Sequence, residues 1–146
     1  MFFHCDNITS VTLPENVTII KDYAFAYCPI TSLLLPSTLT SIGECAFTAA
    51  QTPSFSIPAS VTDIGRMAFY SGVQQLFFNS ESAPSIGEKP FYESQNLQIY
   101  VPCNALGNYQ NDEDWAQYKD YLKTASHKFF ISSSNDYYGT VSIIAE

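Results

Sequence analysis

Phe25, Phe47, Phe69 and Phe91 lie 22 residues apart, and Ile20, Ile42, Ile64 and Ile86 keep the same interval. Pro14, Pro36 and Pro58 follow it too, and Pro102 stands four intervals beyond Pro14. Ala24, Ala46 and Ala68 precede the first three phenylalanines, and Pro90 precedes the fourth. Several ladders sharing one period make this a repeat protein. A unit of this length cannot bury its own apolar side, so it must stack on its neighbours. That requirement constrains the fold more than any other feature of the chain.

Each unit reads in two parts. The segments 8–14, 30–36, 52–58, 73–79 and 96–102 alternate apolar and polar residues. Their pattern predicts short half-buried strands, with Val11 and Leu13, Leu33 and Leu35, Phe55 and Ile57, Leu76 and Phe78, and Ile99 and Val101 facing inward. Proline after the strand lacks a donor and stops it. VTII, LTSI and VTDI then bring the chain round, placing Val17, Leu39, Val61 and the isoleucine ladder inside. Gly43, Gly65 and Gly87 follow in three copies, read as a turn that needs φ > 0, with Lys21 at that place in the first copy. DYAF, ECAF, RMAF and EKPF complete the coil as one short helical turn. The fourth unit is irregular: one residue is inserted around Asn79–Ala83 and one is missing between Phe69 and Val73. The insertion predicts a longer, exposed loop.

The pattern LxxLxLPxxLxxIxxxAFxxC, carried by ITSVTLPENVTIIKDYAFAYC and ITSLLLPSTLTSIGECAF, resembles leucine-rich repeats of the BspA-like type. The resemblance covers residues 1–102, and the fourth unit departs from it with Asn79 for the proline and Pro90 for the alanine. It implies a curved right-handed solenoid in which each coil of roughly 22 residues has a parallel strand on the concave side and a short helical turn. It also implies secreted or cell-surface adhesion proteins of bacteria and some protozoa, although a scaffold does not fix a ligand.

Residues 103–123 break the period. Asp112 to Lys123 reads as an amphipathic helix, with Trp115, Tyr118 and Leu122 on one side. The segment resembles the terminator that follows the last such repeat, and laying it over the last coil would remove apolar surface from water. Residues 124–146 contain two β-like runs, Lys128–Ser132 and Thr140–Ile144, separated by a turn-rich stretch. They form either an edge hairpin or the start of a following domain. At the other end, residues 2–8 resemble 25–30, so the chain reads as starting mid-repeat, as a fragment would.

Little in the chain speaks for chemistry. Six basic against fourteen acidic side chains give a net charge of −8. Such a field repels phosphate backbones and anionic membrane surfaces, so neither nucleic acid nor membrane insertion is expected. Cys5, Cys28, Cys45 and Cys103 show no zinc-like spacing, and Cys5 and Cys28 read either as stacked thiols or as a disulfide between neighbouring coils. His4 beside Cys5 is a weak case for a catalytic thiol, and His4 with His127 has no metal-site spacing. Asp112, Glu113 and Asp114 read as helix-opening carboxylates more simply than as calcium ligands. Asn7 and Asn16 open glycosylation triplets. Asp22, Glu44, Arg66 and Glu88 mark a solvated rim of mixed sign. No cofactor is implied, and the reading is non-enzymatic.

The function therefore rests on a face. The outward strand positions are Ser10 and Thr12, Ser32 and Leu34, Ser54 and Ser56, Gln75 and Phe77, and Gln98 and Tyr100, and none is charged. Thr12, Leu34, Ser56, Gln75, Phe77, Gln98 and Tyr100 are the candidate ligand-binding residues, for a host or microbial surface protein or a glycan. Two alternatives stand beside this reading. Phe77 and Tyr100 could merely pack on each other, and the domain could be a structural spacer in a larger surface protein.

Overall fold

A computed structural model gives the fold and describes residues 8–125. The sequence-predicted strands are β1 (Ser10–Thr12), β3 (Ser32–Leu34), β5 (Ser54–Ile57), β7 (Gln75–Phe78) and β9 (Gln98–Pro102). Between them run four two-residue strands, β2 (Ile19–Ile20), β4 (Ser41–Ile42), β6 (Asp63–Ile64) and β8 (Ser85–Ile86). All pairing is parallel: β1 joins β3, β5–β7–β9 form part of a second sheet, and β2–β4–β6–β8 form a third. Parallel pairing of successive repeats is what stacking of like coils requires, and none of the sheets closes on itself. The third sheet lies where a bare connection was expected. Its strands are too short for any pattern window to register.

The first face is interrupted between β3 and β5. Thr31 N–H donates to Thr9 O at 2.9 Å, but the same place one coil later is Pro53, which has no N–H. The Thr52 hydroxyl bonds to Ile30 O at 2.6 Å beside the lost rung.

Inside the coils the phenylalanine ladder is buried, Phe25, Phe47, Phe69 and Phe91 each exposing 4% or less. Successive ring centroids stand 5.6, 5.4 and 6.1 Å apart in stacked geometry. Leu39, Ile42, Val61 and Ile64 fill the opposite wall. Burying each of these side chains is worth about 1.5–3 kcal/mol, and this apolar column is the main reason the coils stay together.

The expected helical turns have a different backbone. Tyr23, Cys45, Met67 and Lys89 hold φ between 50° and 55°, and Tyr27, Ala49, Ser71 and Glu93 hold φ between 53° and 59°. Alternate amides therefore divide their bonds. Ala24 N–H bonds back to Lys21 O at 3.2 Å, whereas Tyr23, Phe25 and Tyr27 N–H donate to Glu44, Ala46 and Thr48 O at 2.8–2.9 Å in the next coil. Left-handed φ costs a non-glycine residue about 1–2 kcal/mol, and the coil-to-coil ladder offsets it.

Gly43, Gly65 and Gly87 also differ from expectation, because Gly72 alone among the described glycines has positive φ, at 125°. Close approach explains the repeated glycines instead. A Cβ on Gly65 would sit 2.6 Å from the backbone nitrogen of Glu44 in the coil before. Gly72 falls where the third unit lacks a residue, and a Cβ there would meet Ala50 O at 2.4 Å. The register records both irregularities: Phe55 pairs with Leu76, 21 residues on, and Leu76 pairs with Ile99, 23 residues on.

Residues after β9 do not form the long helix expected over Asp112–Lys123. A 3-10 turn (Cys103–Ala105) leads into α1 (Leu106–Asn111), a second 3-10 turn covers Ala116–Tyr121, and β10 (Leu122–Ala125) pairs with β9 in parallel. Asp112 is extended and ends α1, and its carboxylate accepts from the Asp114 and Trp115 amides at 3.0 and 3.3 Å. Leu122 onward is drawn out of helix by the open edge of β9, whose backbone groups would otherwise lack partners. Trp115 is fully buried against Phe78, Phe91 and Tyr109, with centroids at 5.2, 5.8 and 4.9 Å. The inserted loop of the fourth unit, expected to be exposed, is instead held by this segment. Asn108 Nδ2 donates to Glu81 O at 2.8 Å, Tyr109 Oη to Ser80 O at 3.1 Å and Trp115 Nε1 to Pro84 O at 2.8 Å. Only Glu81 and Ser82 remain well exposed there.

Candidate functional site

Strand alternation sends Val11, Leu33, Phe55, Leu76 and Ile99 into the core and turns their neighbours outward. Ser10, Thr12, Ser32 and Ser54 are exposed, Leu34 is 40% exposed, and Ser56, Gln75, Phe77 and Gln98 are half-buried. Register places these residues in rows across the strands. Thr12 stands beside Leu34 in the first sheet. In the second, Ser56, Phe77 and Tyr100 form one row, and Gln75 pairs with Gln98 in the row beside it.

Tyr100 is the correction on this face. Expected to be accessible, it exposes only 5% of its surface. Its ring stacks on Phe77 at 4.8 Å and 10°, its hydroxyl donates to Gln98 Oε1 at 2.6 Å, and β10 covers its other side. Packing of these two rings on each other is the geometry found. Asn79 Nδ2 bonds to the Ser56 hydroxyl at 3.2 Å, tying the row to the loop that follows β7.

The residue that sequence reasoning missed is Lys123. In β10 it pairs with Tyr100, so the row runs Ser56, Phe77, Tyr100, Lys123. Reading 112–123 as one helix hid it, although the alternation Leu122–Lys123–Thr124–Ala125 carries a faint strand signal. Among the described residues Lys123 joins no ion pair. It is also the one charged side chain at the outward positions of β1, β3, β5, β7, β9 and β10.

Charge is concentrated on the turns instead. Arg66 Nη2 bonds to Glu44 Oε1 at 2.5 Å, and the Tyr23 hydroxyl reaches the same carboxylate at 3.2 Å. The Arg66 hydrogen bond holds the Glu44 carboxyl below its ordinary range. Tyr70 donates to Glu93 at 2.6 Å, which raises its phenol, and Lys89 lies 5.2 Å above the Tyr92 ring. These side chains are exposed or half-exposed, and pairs of this kind contribute about 0–1 kcal/mol each. Alternating sign and solvent contact describe a rim. A shallow depression of about 380 Å³ lies by β2, lined by Ile19, Ile20, Lys21, Asp22, Ser41 and Gly43, away from the candidate face.

Among the described residues no three His, Cys, Asp or Glu side chains converge as metal ligands. Cys28 and Cys45 are buried, and Cys103 is exposed with Sγ 3.3 Å from Ala125 O. The readings placed on His4, Cys5, Asn7, His127 and the two β-like runs after Ala125 lie outside the described residues. No helix among those described is long and apolar enough to cross a membrane. No curated protein matches the chain. The family model for the BspA type leucine rich repeat region matches in six copies over residues 1–112, and the open stack of parallel strands agrees with the solenoid such repeats build. Repeats of this type are generally non-enzymatic modules of surface-associated proteins. On its residues and its strands alike, the chain belongs to the BspA-type leucine-rich repeat family.

Proposed function

We propose that the domain is a binding module of a secreted or cell-surface protein, using the face built by β1, β3, β5, β7, β9 and β10. In a right-handed solenoid this face is concave, and residues 103–121 act as its C-terminal cap. One observation carries the reading: on a chain of net charge −8, the outward positions of these strands are hydroxyls, amides and a few apolar groups, with Lys123 the sole ion. A purely solvated face has no need to exclude acids so completely, whereas a contact surface avoids desolvating them. Leu34, 40% exposed, and half-buried Phe77 add rigid apolar area. The partner is a host or microbial surface component.

Because Tyr100 is buried in the stack, replacing it would test packing as much as binding. Thr12→Glu with Leu34→Glu is the cleaner variant, since both positions are exposed. Loss of adhesion to cell-surface material with unchanged thermal melts is the expected result. Equal adhesion by both proteins moves the function to a spacer that holds other domains apart.

A further inference from the structure

A stack of like coils needs a place to stop, and its two ends differ. At the C-terminal end, Trp115 and its neighbours lie against the last coil. At the other end, β2 (Ile19–Ile20) is the edge strand of the third sheet. Ile19 exposes 56% of its surface there, more than any other large apolar side chain among the described residues. An open edge carrying an apolar residue is a template for a further strand.

The residue after β2 bears on that edge. Each later coil has a glycine at this place, and each donates its N–H to the coil before: Gly43 to Ile20 O, Gly65 to Ile42 O and Gly87 to Ile64 O, all at 2.7 Å. A Cβ on these glycines would stand 2.5, 2.6 and 2.5 Å from the amide nitrogens of Asp22, Glu44 and Arg66. Those atoms are backbone, which cannot swing aside as the end of a side chain can. The first coil has Lys21 instead. Among the described residues its N–H has no such acceptor, and its side chain is exposed. A coil stacked before it in the same register would bring backbone onto the Lys21 Cβ. The ammonium is a second barrier, since lysine at a sheet edge resists the desolvation that a further strand imposes.

We infer that Lys21 is a stop residue, closing the third sheet at β2 against any further coil in repeat register, from a longer chain or from a second copy. One end of the stack is covered by a side chain that is buried, and the other is blocked by one that resists burial.

The test repeats residues 8–29 in tandem within the full chain, so that the second copy's lysine lands on a coil as Gly43 does. A companion chain carries Lys21→Gly in that second copy. Chymotrypsin should cut the added coil at least about tenfold more slowly in the companion, because only there is it stacked. Equal protection in the two chains overturns the stop. If neither insertion folds, single substitutions in the natural chain decide. Lys21→Ala should melt within about 1 °C of the unaltered protein, whereas Gly43→Ala should melt about 3–10 °C lower. A Gly43→Ala protein that melts like the unaltered one removes the steric basis and overturns the inference.

Discussion

Two regions of this molecule solve one problem by different means. From β2 to β8, each coil passes its backbone bonds to the next: Thr40 N–H to Thr18 O, Thr62 N–H to Thr40 O, Ser85 N–H to Thr62 O, all within 2.8–2.9 Å. From Cys103 to Tyr121 that exchange stops, and side chains take it over. Among the described residues the carbonyl of Pro84, one interval beyond Thr62, receives no backbone N–H from a following coil; the indole of Trp115 reaches it at 2.8 Å. A backbone ladder tolerates many side chains and distributes its free energy evenly over the stack. A side-chain closure depends on a few residues that must be the right ones.

Trp115→Ala should therefore be the most damaging single change. It removes the ring that packs on Phe78, Phe91 and Tyr109 and leaves the Pro84 carbonyl without its donor. The expected loss is about 3–5 kcal/mol, plus about 1 kcal/mol for the carbonyl. Urea unfolding measures it, and a loss below about 1 kcal/mol would mean that the array does not need this closure. Trp115→Phe keeps most of the packing and should separate the hydrogen bond from the ring.

A pair of glycines sharpens the comparison. Gly65 touches the coil before it so closely that a Cβ would meet the Glu44 amide nitrogen at 2.6 Å, whereas a Cβ on Gly107 in α1 meets nothing within 4 Å. Gly65→Ala should cost about 1–3 kcal/mol, because backbone on both sides must give way. Gly107→Ala should be neutral or stabilise by up to about 1 kcal/mol, since it replaces a poor helix former in open space. Matching thermal shifts for the two would show that the coils are less tightly stacked than these distances require.

The same contrast explains what could be read from the residues alone. Phenylalanine and isoleucine ladders were legible, because a position packed into or against the core in every coil keeps its residue type. The left-handed turns were not, since Tyr23, Cys45, Met67 and Lys89 share no chemistry; their φ is imposed by stacking and leaves no local mark. Gly43, Gly65 and Gly87 were seen but explained by the wrong property, as glycine serves both positive φ and close approach. Residues 112–123 misled most. Their apolar spacing fits a helix, and only the pairing partner β9 decides that Leu122 and Lys123 are strand. Of the candidate face, the outward strand positions were legible and the burial of Tyr100 was not, because the strand paired beside it was hidden in that helix.

Alkali should attack the closing segment first. Burial pushes the Tyr109 phenol well above its ordinary value, and Tyr118 is raised in the same way. Such a phenol leaves folding unaffected below the unfolded value near 10, and stability falls as the pH rises beyond it, because only the unfolded chain ionises easily. The slope is about 1.4 kcal/mol per pH unit for one fully resistant group. Trp115 fluorescence should therefore report unfolding above about pH 10. Tyr109→Phe should shift that midpoint upward, although it loses the bond to Ser80 O.

Acid should instead act on the repeats, and weakly. In the third sheet the Asp63 carboxyl is held below its ordinary value, first by the Thr62 hydroxyl at 2.6 Å and then by the Ser85 hydroxyl at 2.8 Å one coil on. A depressed carboxyl contributes stability above its unfolded value near 3.9, and that contribution is lost as the pH falls through the folded one. Asp63 is exposed, so solvent screens the effect to about 0.3 kcal/mol or less. Asp63→Asn should flatten the acid limb of the melting curve between about pH 5 and pH 3 by about 1 °C and leave its neutral plateau almost unchanged. A much larger shift would mean that this hydroxyl–carboxylate link carries coil-to-coil stability that the backbone ladder was assigned. The repeats would then depend on particular side chains as the closing segment does.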